Sequence, residues 1–341
     1  MFDVTVVGGG PIGLFTAKLC EDLGYDVVVL EEHGKIGKPL QCSGLISSNI
    51  EGFFPDIGKW GVIENDVDSA TLHSPKSKLV LKKGGAAYVI DRSKFDKRLS
   101  EMIRSEILLN CRAGSIAVKK DRVEVSTNRG VFESEMVLGC DGFNSVVAKG
   151  LCVKPKEMIK GLIGITKEKN NSGNVDMYFD KGIVKDGFLW KIPRGKTTEY
   201  GILGRRVKFG DMERFFGLKG YERFAGLIPL GTVRKSYFDR VLLIGDAAGQ
   251  VKPWSGGGVI YGLTSARIAS SVIDGAFKVN DFSESVLKEY ESLWKNRIGK
   301  QIGFGMFLRK VLKTSSNRHL EMFFKACRPL KFGWMDMDFI F

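Results

Sequence analysis

The chain has 341 residues, of which 43% are hydrophobic, and its 52 lysines and arginines exceed its 39 acidic residues, for a formal net charge of +13. A chain of this length usually divides into two domains, because one hydrophobic core rarely grows beyond about 300 residues. The charge suits an anionic partner, but no helix-turn-helix, zinc-finger or RNA-binding motif accompanies it, so nucleic acid is not expected as a partner.

The sequence has no segment that is expected to cross or leave a membrane. Apolar stretches are interrupted well before the roughly 18 residues of a transmembrane helix. Met1 and Phe2 run directly into a strand-like segment, which leaves no room for a secretory leader. We therefore expect a cytoplasmic protein, and peripheral contact with the cytoplasmic face of the membrane stays open.

No metal site is expected. The six cysteines have no CxxC spacing, which argues against a zinc site or a dithiol pair. The three histidines, His33, His73 and His319, are scattered and are expected to be structural or surface residues.

The chain begins with a predicted strand, helix and strand. Residues 3–7 and 26–30 have the apolar pattern of buried parallel strands, and residues 11–23 form an amphipathic helix that Gly24 ends. The turn between the first strand and the helix has the sequence GGGPIG at residues 8–13, which fits G-x-G-x-x-G. A strand before this pattern and a helix after it are the context of a dinucleotide-binding site.

Each glycine of this motif has a separate physical role. Gly8 permits the tight turn, Gly10 lets a pyrophosphate approach the backbone, and Gly13 allows the helix to pack on the strand. An acidic residue at the end of the second strand accepts hydrogen bonds from ribose hydroxyls. The predicted contacts of this segment with the cofactor are Gly8, Gly10, Pro11, Ile12, Gly13, Glu31 and Glu32.

The middle of the chain reads as strands with one helix. Alternation around residues 70–82 predicts strands, residues 92–107 predict a helix, and residues 113–137 predict strand pairs. β-rich runs with polar turns over residues 161–206 predict an antiparallel sheet.

The last part returns to the nucleotide-binding domain before a helical tail. Residues 240–244 predict a buried strand, and a helix is predicted to begin near Gly256. From residue 283 the tail is predicted to be helical, with a second apolar and basic segment at residues 302–313. The whole tail, residues 283–341, has a net charge of +5. One face of the first tail helix is predicted to hold Val286, Tyr290, Leu293 and Ile298.

Three further motifs resemble signatures of the hydroxybenzoate-hydroxylase-type flavoprotein superfamily: DRSKFDKRL at residues 91–99, GCDGFNS at 139–145 and GDAAGQ at 245–250. The resemblance implies FAD as the cofactor. It places Arg92 along the cofactor, Asp141 and Gly142 at the pyrophosphate region, and Asp246 at the ribityl chain, because a carboxylate is a good acceptor of hydrogen bonds from ribityl hydroxyls. Gly245 is a further predicted cofactor contact.

The segment PWSGGG at residues 253–258 follows the last of these motifs. Three glycines before a helix suit a backbone that lies against a flat ring, with N–H groups and the helix dipole stabilising negative charge on reduced flavin. The predicted contacts are Pro253, Gly256, Gly257 and Gly258.

Two motifs resemble the geranylgeranyl reductases, including the archaeal enzymes of the digeranylgeranylglycerophospholipid reductase type: PLQCSGLIS at residues 39–47 and FLWKIP at 188–193. The family pattern Y-x-W-x-F-P is met only at Trp190 and Pro193. F-x-W-x-I-P is also one step from the W-x-W-x-I-P of flavin-dependent halogenases, but those chains are longer and their catalytic-lysine segment has no counterpart here.

The narrower resemblance implies an FAD-dependent reductase that saturates C=C bonds of isoprenoid chains of lipids or prenyl compounds, by hydride transfer from reduced flavin and proton delivery in a dry cleft. Cys42 is predicted to lie beside the flavin, as a proton source or as packing for the alkene. Phe188 and Trp190 are predicted to line the alkene channel. Ordinary core packing stays open for all three.

The fold predicted from these motifs is α/β (α+β overall), with a Rossmann-like FAD-binding domain, an inserted antiparallel-sheet substrate domain and a C-terminal helical segment. The predicted domains are 1–65, 84–152 and 236–282 for FAD, 66–83 and 153–235 for substrate, and 283–341 for the helical region.

Two other functions stay open: a monooxygenase or halogenase on the same fold, and a noncatalytic flavin-binding membrane or redox-partner protein. The expected electron donor is a ferredoxin-like carrier or NAD(P)H.

Overall fold

The structure, a computed structural model, describes residues 1–39, 42–327 and 337–339. The helices are α1 (Pro11–Asp22), α2 (Arg92–Ser100), α3 (Val146–Gly150), α4 (Phe209–Phe216), α5 (Val259–Val279), α6 (Glu284–Trp294), α7 (Lys300–Thr314) and α8 (Asn317–Cys327). The strands are β1 (Phe2–Val7), β2 (Val27–Leu30), β3 (Leu45–Ser47), β4 (Ile63–His73), β5 (Lys78–Ile90), β6 (Glu106–Leu108), β7 (Ala113–Val118), β8 (Val123–Thr127), β9 (Gly130–Gly139), β10 (Glu157–Thr166), β11 (Asn174–Tyr178), β12 (Phe188–Pro193), β13 (Thr198–Gly204), β14 (Glu222–Leu230), β15 (Tyr237–Phe238) and β16 (Val241–Leu243).

The chain divides into two compact units, each assembled from three segments. The first unit comprises residues 1–39, 93–157 and 229–303, and the second comprises 40–92, 158–228 and 304–341. Residues 40–65 and 84–92 belong to the second unit because β3 and β4 both pair with β5. The functional domain boundaries given above stay predictions.

The sheet of the first unit places three predicted motifs at one edge. Its order is β15-β16-β9-β1-β2-β6, with β7 and β8 paired beside β9. β1 is parallel to β2 and β9, and β9 is parallel to β16. Because parallel strands end at the same edge, the turns that follow β1, β9 and β16 lie together there. These turns carry Gly8, Asp141 and Gly245.

The helix predicted over residues 92–107 is wrong in its second half. α2 ends at Ser100, and β6 follows at residues 106–108. Ile107 pairs with Val29 of β2, so a position at the sheet edge overrides the helical pattern of this short segment.

The buried face of α6 is also shifted from the predicted one. Leu293 is 40% exposed, whereas Leu287, Tyr290 and Trp294 are buried, as is Ile298 in the π-helical turn Lys295–Gly299 that follows. The buried side chains follow one another at the helical spacing of three and four residues. The predicted face is therefore right at Tyr290 and Ile298, whereas Leu287 and Trp294 are buried in place of Val286 and Leu293.

The second unit contains the predicted antiparallel sheet, with one exception. Its order is β14-β10-β13-β12-β11-β4-β5-β3. The pairs β10–β13, β11–β12, β12–β13, β4–β5 and β3–β5 are antiparallel, whereas β11 and β4 are parallel. None of the helices in the described ranges is both long enough and apolar enough to span a membrane.

Candidate functional site

The glycine-rich turn after β1 is packed too closely for a side chain at Gly8 and Gly13. A Cβ atom at Gly8 would lie 2.6 Å from the Cys140 carbonyl oxygen, and one at Gly13 would lie 1.9 Å from the Gly8 carbonyl oxygen. Gly8 also has φ of +106°, which favours glycine. In contrast, a Cβ at Gly10 would meet no atom within 4 Å, so the turn is tight on its inner side and open at Gly10.

The start of α1 fits an anionic group. Gly10 is the N-cap with no side-chain capping bond, and Pro11 lies in the first turn. The first N–H groups of a helix have no partner within that helix, and the helix dipole is positive there. A pyrophosphate therefore fits the open side of this turn.

Glu31 is tied to the same turn. Its Oε2 accepts a hydrogen bond from Gly9 N–H at 2.6 Å, and its Oε1 accepts one from His33 N–H at 2.8 Å. The His33 ring nitrogen Nδ1 lies 2.6 Å from the same Oε1. Each carboxylate oxygen has two lone pairs, so acceptor capacity remains for a ribose hydroxyl. Glu32 is exposed.

Asp141 holds the turn after β9. Its Oδ2 accepts from Val146 N–H at 2.6 Å and its Oδ1 accepts from the Ser145 hydroxyl at 2.6 Å. Burial raises the pKa of Asp141, and these hydrogen bonds oppose the rise. Gly142 follows with φ of +72°. The carboxylate thus fixes the shape of the turn that packs on Gly8.

The turn after β16 is supported by a buried polar chain. Gly245 N–H donates to Gln250 Oε1 at 2.7 Å, Gln250 Nε2 donates to the Tyr290 hydroxyl at 2.9 Å, and that hydroxyl donates to the Leu243 carbonyl at 2.9 Å. The sequence reasoning gave no role to Gln250 and treated Tyr290 only as core. A buried tyrosine needs a partner for its hydroxyl, which was the available signal.

Asp246 lies beside the glycines that precede α5. A Cβ atom at Gly258, the N-cap of α5, would lie 2.7 Å from Asp246 Oδ1. Before it, Lys252 N–H donates to the Gly257 carbonyl at 3.0 Å, and Gly256 N–H donates to the Lys252 carbonyl at 2.9 Å. The loop thus turns back on itself directly after Pro253 and presents backbone at the positive end of α5.

The first unit therefore brings together most of the predicted cofactor residues. Ile12 of α1 is the link, because Cβ atoms at Gly245 and Gly262 would lie 3.3 Å and 2.5 Å from its side chain. Arg92, the first residue of α2, is assigned to the second unit, whereas the rest of that helix belongs to the first.

In the second unit, Cys42 lies in a tight turn. Gly44 N–H donates to Cys42 Sγ at 3.4 Å, and Ile90 N–H donates to the Gly44 carbonyl at 3.0 Å. Gly44 has φ of +72°, and a Cβ there would lie 2.1 Å from the Ile90 carbonyl oxygen. The turn that carries Cys42 is consequently pressed against the end of β5.

Trp190 is buried on β12 with its ring over a glycine. Its register partner on β13 is Gly201, where a Cβ atom would lie 2.0 Å from the indole ring. The indole Nε1 donates to Glu199 Oε1 at 2.8 Å. Phe188 is buried on the same strand, with its ring centroid 5.9 Å from that of Trp190 and 5.6 Å from that of Phe179.

A buried ion pair connects the turn that carries Cys42 with the indole of Trp190. Arg194 Nη1 lies 2.9 Å from Glu199 Oε2, and it also donates to the Ser43 carbonyl, next to Cys42. Arg194 Nη2 lies 2.6 Å from Glu64 and donates to the Ile90 carbonyl at 3.3 Å. The Arg194 and Glu199 side chains are 6% and 1% exposed. Burial raises the pKa of Glu199, and the Arg194 guanidinium opposes that rise.

Sequence reasoning missed both members of this pair. The signal was present, since Arg194 directly follows the FLWKIP segment and Glu199 interrupts an apolar strand. Charged residues so close to apolar strands are almost never fully buried unless they are paired.

The histidines have local partners. His73 Nε2 lies 2.7 Å from Asp176, and His33 pairs with Glu31. Across residues 1–39, 42–327 and 337–339, no group of three or more His, Cys, Asp or Glu side chains is arranged to hold a metal ion.

Known proteins resemble this chain over nearly its whole length. The family described as NAD(P)-binding Rossmann-like domain matches residues 6–43. Digeranylgeranylglycerophospholipid reductase 2 from Methanopyrus kandleri is 30% identical over 365 aligned positions, which cover 95% of this chain and 90% of that protein.

Solved structures share the fold. A geranylgeranyl bacteriochlorophyll reductase-like protein from Thermoplasma acidophilum superposes with a TM-score of 0.91 at 22% identity, covering 98% of this chain and 93% of its own. A flavin-dependent halogenase superposes with a TM-score of 0.69 at 20% identity, covering 86% of this chain and 62% of its own. These matches confirm the predicted fold class, and the halogenase is a relative in fold alone.

Proposed function

Because this chain belongs to the digeranylgeranylglycerophospholipid reductase family, we propose that it is an FAD-dependent oxidoreductase that saturates C=C bonds of isoprenoid chains. The observation that carries the proposal is the 30% identity with a reductase of that name over 95% of the chain. The substrate class is an isoprenoid lipid or prenyl compound.

The residues of the first unit fit FAD. When FAD binds, the open side of the turn at Gly10 and the start of α1 would hold the pyrophosphate, and Glu31 would accept a hydrogen bond from the ribose. Asp246 would accept hydrogen bonds from the ribityl hydroxyls, and the backbone at Gly256, Gly257 and Gly258 would contact the flavin ring. Asp141 and Gly142 are proposed to complete the cofactor site of this unit, and the contact expected for Arg92 stays a prediction.

The residues of the second unit serve the alkene. Reduced FAD supplies the hydride when it is bound. Phe188 and Trp190, both buried, form an apolar wall that excludes water from the alkene, and Cys42 delivers a proton to the second carbon or packs against it. A dry wall also holds the flexible chain in register with the reacting groups.

The test is anaerobic incubation of the FAD-loaded protein with dithionite and an isoprenoid lipid extract, followed by mass spectrometry. We expect protein-dependent additions of two hydrogen atoms per double bond. The matched control is Asp246→Ala, which is expected to lose FAD and therefore to leave the lipids unchanged.

Two results would contradict the proposal. Oxygen-dependent hydroxylation or halogenation, without any anaerobic gain of hydrogen, would identify a monooxygenase or halogenase. Lipid binding without reoxidation of the reduced flavin by any of the lipids would identify a noncatalytic flavin-binding protein.

The electron donor is proposed to be an acidic carrier of the ferredoxin type, supported by the net charge of +13. Attraction between exposed charges is screened by salt. Anaerobic reduction of the bound FAD by reduced ferredoxin should therefore slow as salt is added, whereas equally fast reduction by NAD(P)H alone would replace this assignment.

The C-terminal helices are proposed to rest on an anionic membrane surface. Phe307 of α7 and Met322 and Phe323 of α8 are about 60% exposed, at 61%, 61% and 59%. Exposed basic residues lie near them in the sequence: Lys310, Lys313, Arg318 and Lys325. Apolar side chains with neighbouring cations are typical of helices that lie in a lipid interface.

Replacing Phe307, Met322 and Phe323 with serine is expected to weaken binding to anionic vesicles by at least about tenfold, since each buried apolar side chain contributes roughly 1.5–3 kcal/mol. Co-sedimentation with phosphatidylglycerol and phosphatidylcholine vesicles measures this. Val131→Ser is the control, because Val131 is 60% exposed on β9 of the first unit. Equal binding by the triple variant and the control would refute the surface.

A further inference from the structure

We infer that Arg194 and Glu199 are positioning residues, which fix the Cys42 turn and the Trp190 indole in one arrangement for alkene reduction. This inference rests on the proposed function, because it takes Cys42 and Trp190 to be the groups that meet the alkene. Arg194 and Glu199 act through those two residues.

Stability alone does not account for this pair. Moving two charges out of water costs several kcal/mol, and well-packed apolar residues of similar volume are often equally stabilising or more so. Both side chains are nevertheless buried, with Glu199 on β13 and Arg194 directly after the end of β12. What an ion pair adds is direction, because each of its hydrogen bonds is made at one angle and distance.

Arg194 reaches two backbone carbonyls that apolar residues could not hold. One is that of Ser43, beside Cys42, and the other is that of Ile90, against which Gly44 is packed. The planar guanidinium makes these bonds while it pairs with Glu199 and Glu64. A single arginine therefore joins the Cys42 turn, the end of β5 and the strands around Trp190.

The two carboxylate oxygens of Glu199 accept hydrogen bonds from two different side chains. Oε2 accepts from Arg194, and Oε1 accepts from the Trp190 indole. With Gly201 beneath the ring, this bond fixes the rotation of the indole in its plane. A shift of the Cys42 turn is consequently transmitted to Trp190 through three hydrogen bonds, which join Ser43 to Arg194, Arg194 to Glu199 and Glu199 to Trp190.

The decisive variant is the double substitution Arg194→Met with Glu199→Leu. It removes both buried charges together and fills their space with apolar side chains, so the fold is expected to be retained, and thermal unfolding of the FAD-loaded variant verifies this. Arg194→Lys is the second variant, since an ammonium keeps the charge but lacks the fork that spans several acceptors. Arg205→Met is the control, because Arg205 pairs with Asp186 at 2.8 Å at a more exposed position of the same unit.

Two measurements read the effect in the FAD-loaded proteins. The first is the rate at which N-ethylmaleimide alkylates Cys42, quantified by peptide mass spectrometry relative to the exposed Cys152. Burial raises the pKa of Cys20 to about 12 and also raises that of Cys140, so these buried thiols react slowly. The second is kcat and KM for alkene reduction.

In both variants we expect N-ethylmaleimide to alkylate Cys42 about tenfold faster than in the wild type. We also expect kcat to fall by about 10- to 100-fold, because misplacement of reacting groups has effects of this size. KM and FAD content should change little, and Arg205→Met should match the wild type. A folded double variant with unchanged alkylation and unchanged kcat would overturn the inference. If the wild type reduces no isoprenoid, the proposed function fails, and a rise in alkylation would still assign the pair to fixing the Cys42 turn.

Discussion

Replacing Gly13 with alanine is expected to abolish FAD binding and to destabilise the first unit. The new Cβ atom would lie 1.9 Å from the Gly8 carbonyl oxygen and 3.2 Å from the Cys140 side chain. Backbone cannot yield as the end of a flexible side chain can, so α1 must move away from the turn. Overpacking of this kind costs about 1–3 kcal/mol or more. Thermal unfolding and the flavin absorbance of the purified protein measure the two effects.

The matched control lies three residues earlier in the same motif. Alanine at Gly10 meets no atom within 4 Å, and the backbone there, with φ of −75° and ψ of 176°, is one that alanine adopts. We expect the stability of Gly10→Ala to lie within about 0.5 kcal/mol of the wild type. Its FAD affinity should fall, because the methyl group stands on the open side of the turn. A yellow Gly13→Ala protein that melts like the wild type would refute the packing argument.

Replacing Cys42 with alanine is expected to leave FAD bound and to lower alkene reduction by about 100-fold or more, if the thiol supplies the proton, as general acids typically contribute 10²- to 10⁴-fold. Serine at the same position separates the two proposed roles. Serine nearly preserves the volume of the side chain but is a far weaker acid. If Cys42 donates the proton, the serine variant should be as impaired as the alanine variant. If Cys42 packs against the alkene, the serine variant should reduce alkenes at close to the wild-type rate.

The control for Cys42 is Cys327→Ala. Cys327 is also partly exposed and lies at the end of α8. Single-turnover reoxidation of the reduced flavin by an isoprenoid substrate measures the chemical step directly. Wild-type reoxidation rates in both Cys42 variants would exclude Cys42 from proton delivery and from packing of the alkene.

The first unit was largely predictable because its determinants are local. Gly8, Gly10 and Gly13 fall between a strand and a helix, and backbone crowding at such a turn leaves no other residue type at two of the three positions. The motifs at Asp141 and Asp246 were also recognisable, since each follows a buried strand. Their meeting at one sheet edge follows from the parallel order of β1, β9 and β16.

The connections between distant residues were not predictable. No spacing rule relates Arg194 to Ser43, and Gly201 appears as an ordinary strand glycine until Trp190 is seen lying over it. The same limitation explains residues 106–108, where pairing with β2 decides the conformation. For α6, the choice of Leu293 over Trp294 failed because two stripes of the helix carry apolar residues, and only packing distinguishes them.

The assembly of each unit from three separated segments has a consequence for biosynthesis. β9 is complete at residue 139, but its partner strand β16 begins only at residue 241. At ordinary rates of translation, the ribosome needs roughly 5–20 s to make the intervening segment. During that interval the end of β9 at residues 137–139 lacks its β16 partner, and an open strand edge of this kind can pair with neighbouring nascent chains unless a chaperone covers it. Neither unit can therefore be expressed by cutting the gene at a single junction, and soluble production depends on how the full chain is protected while it is being made.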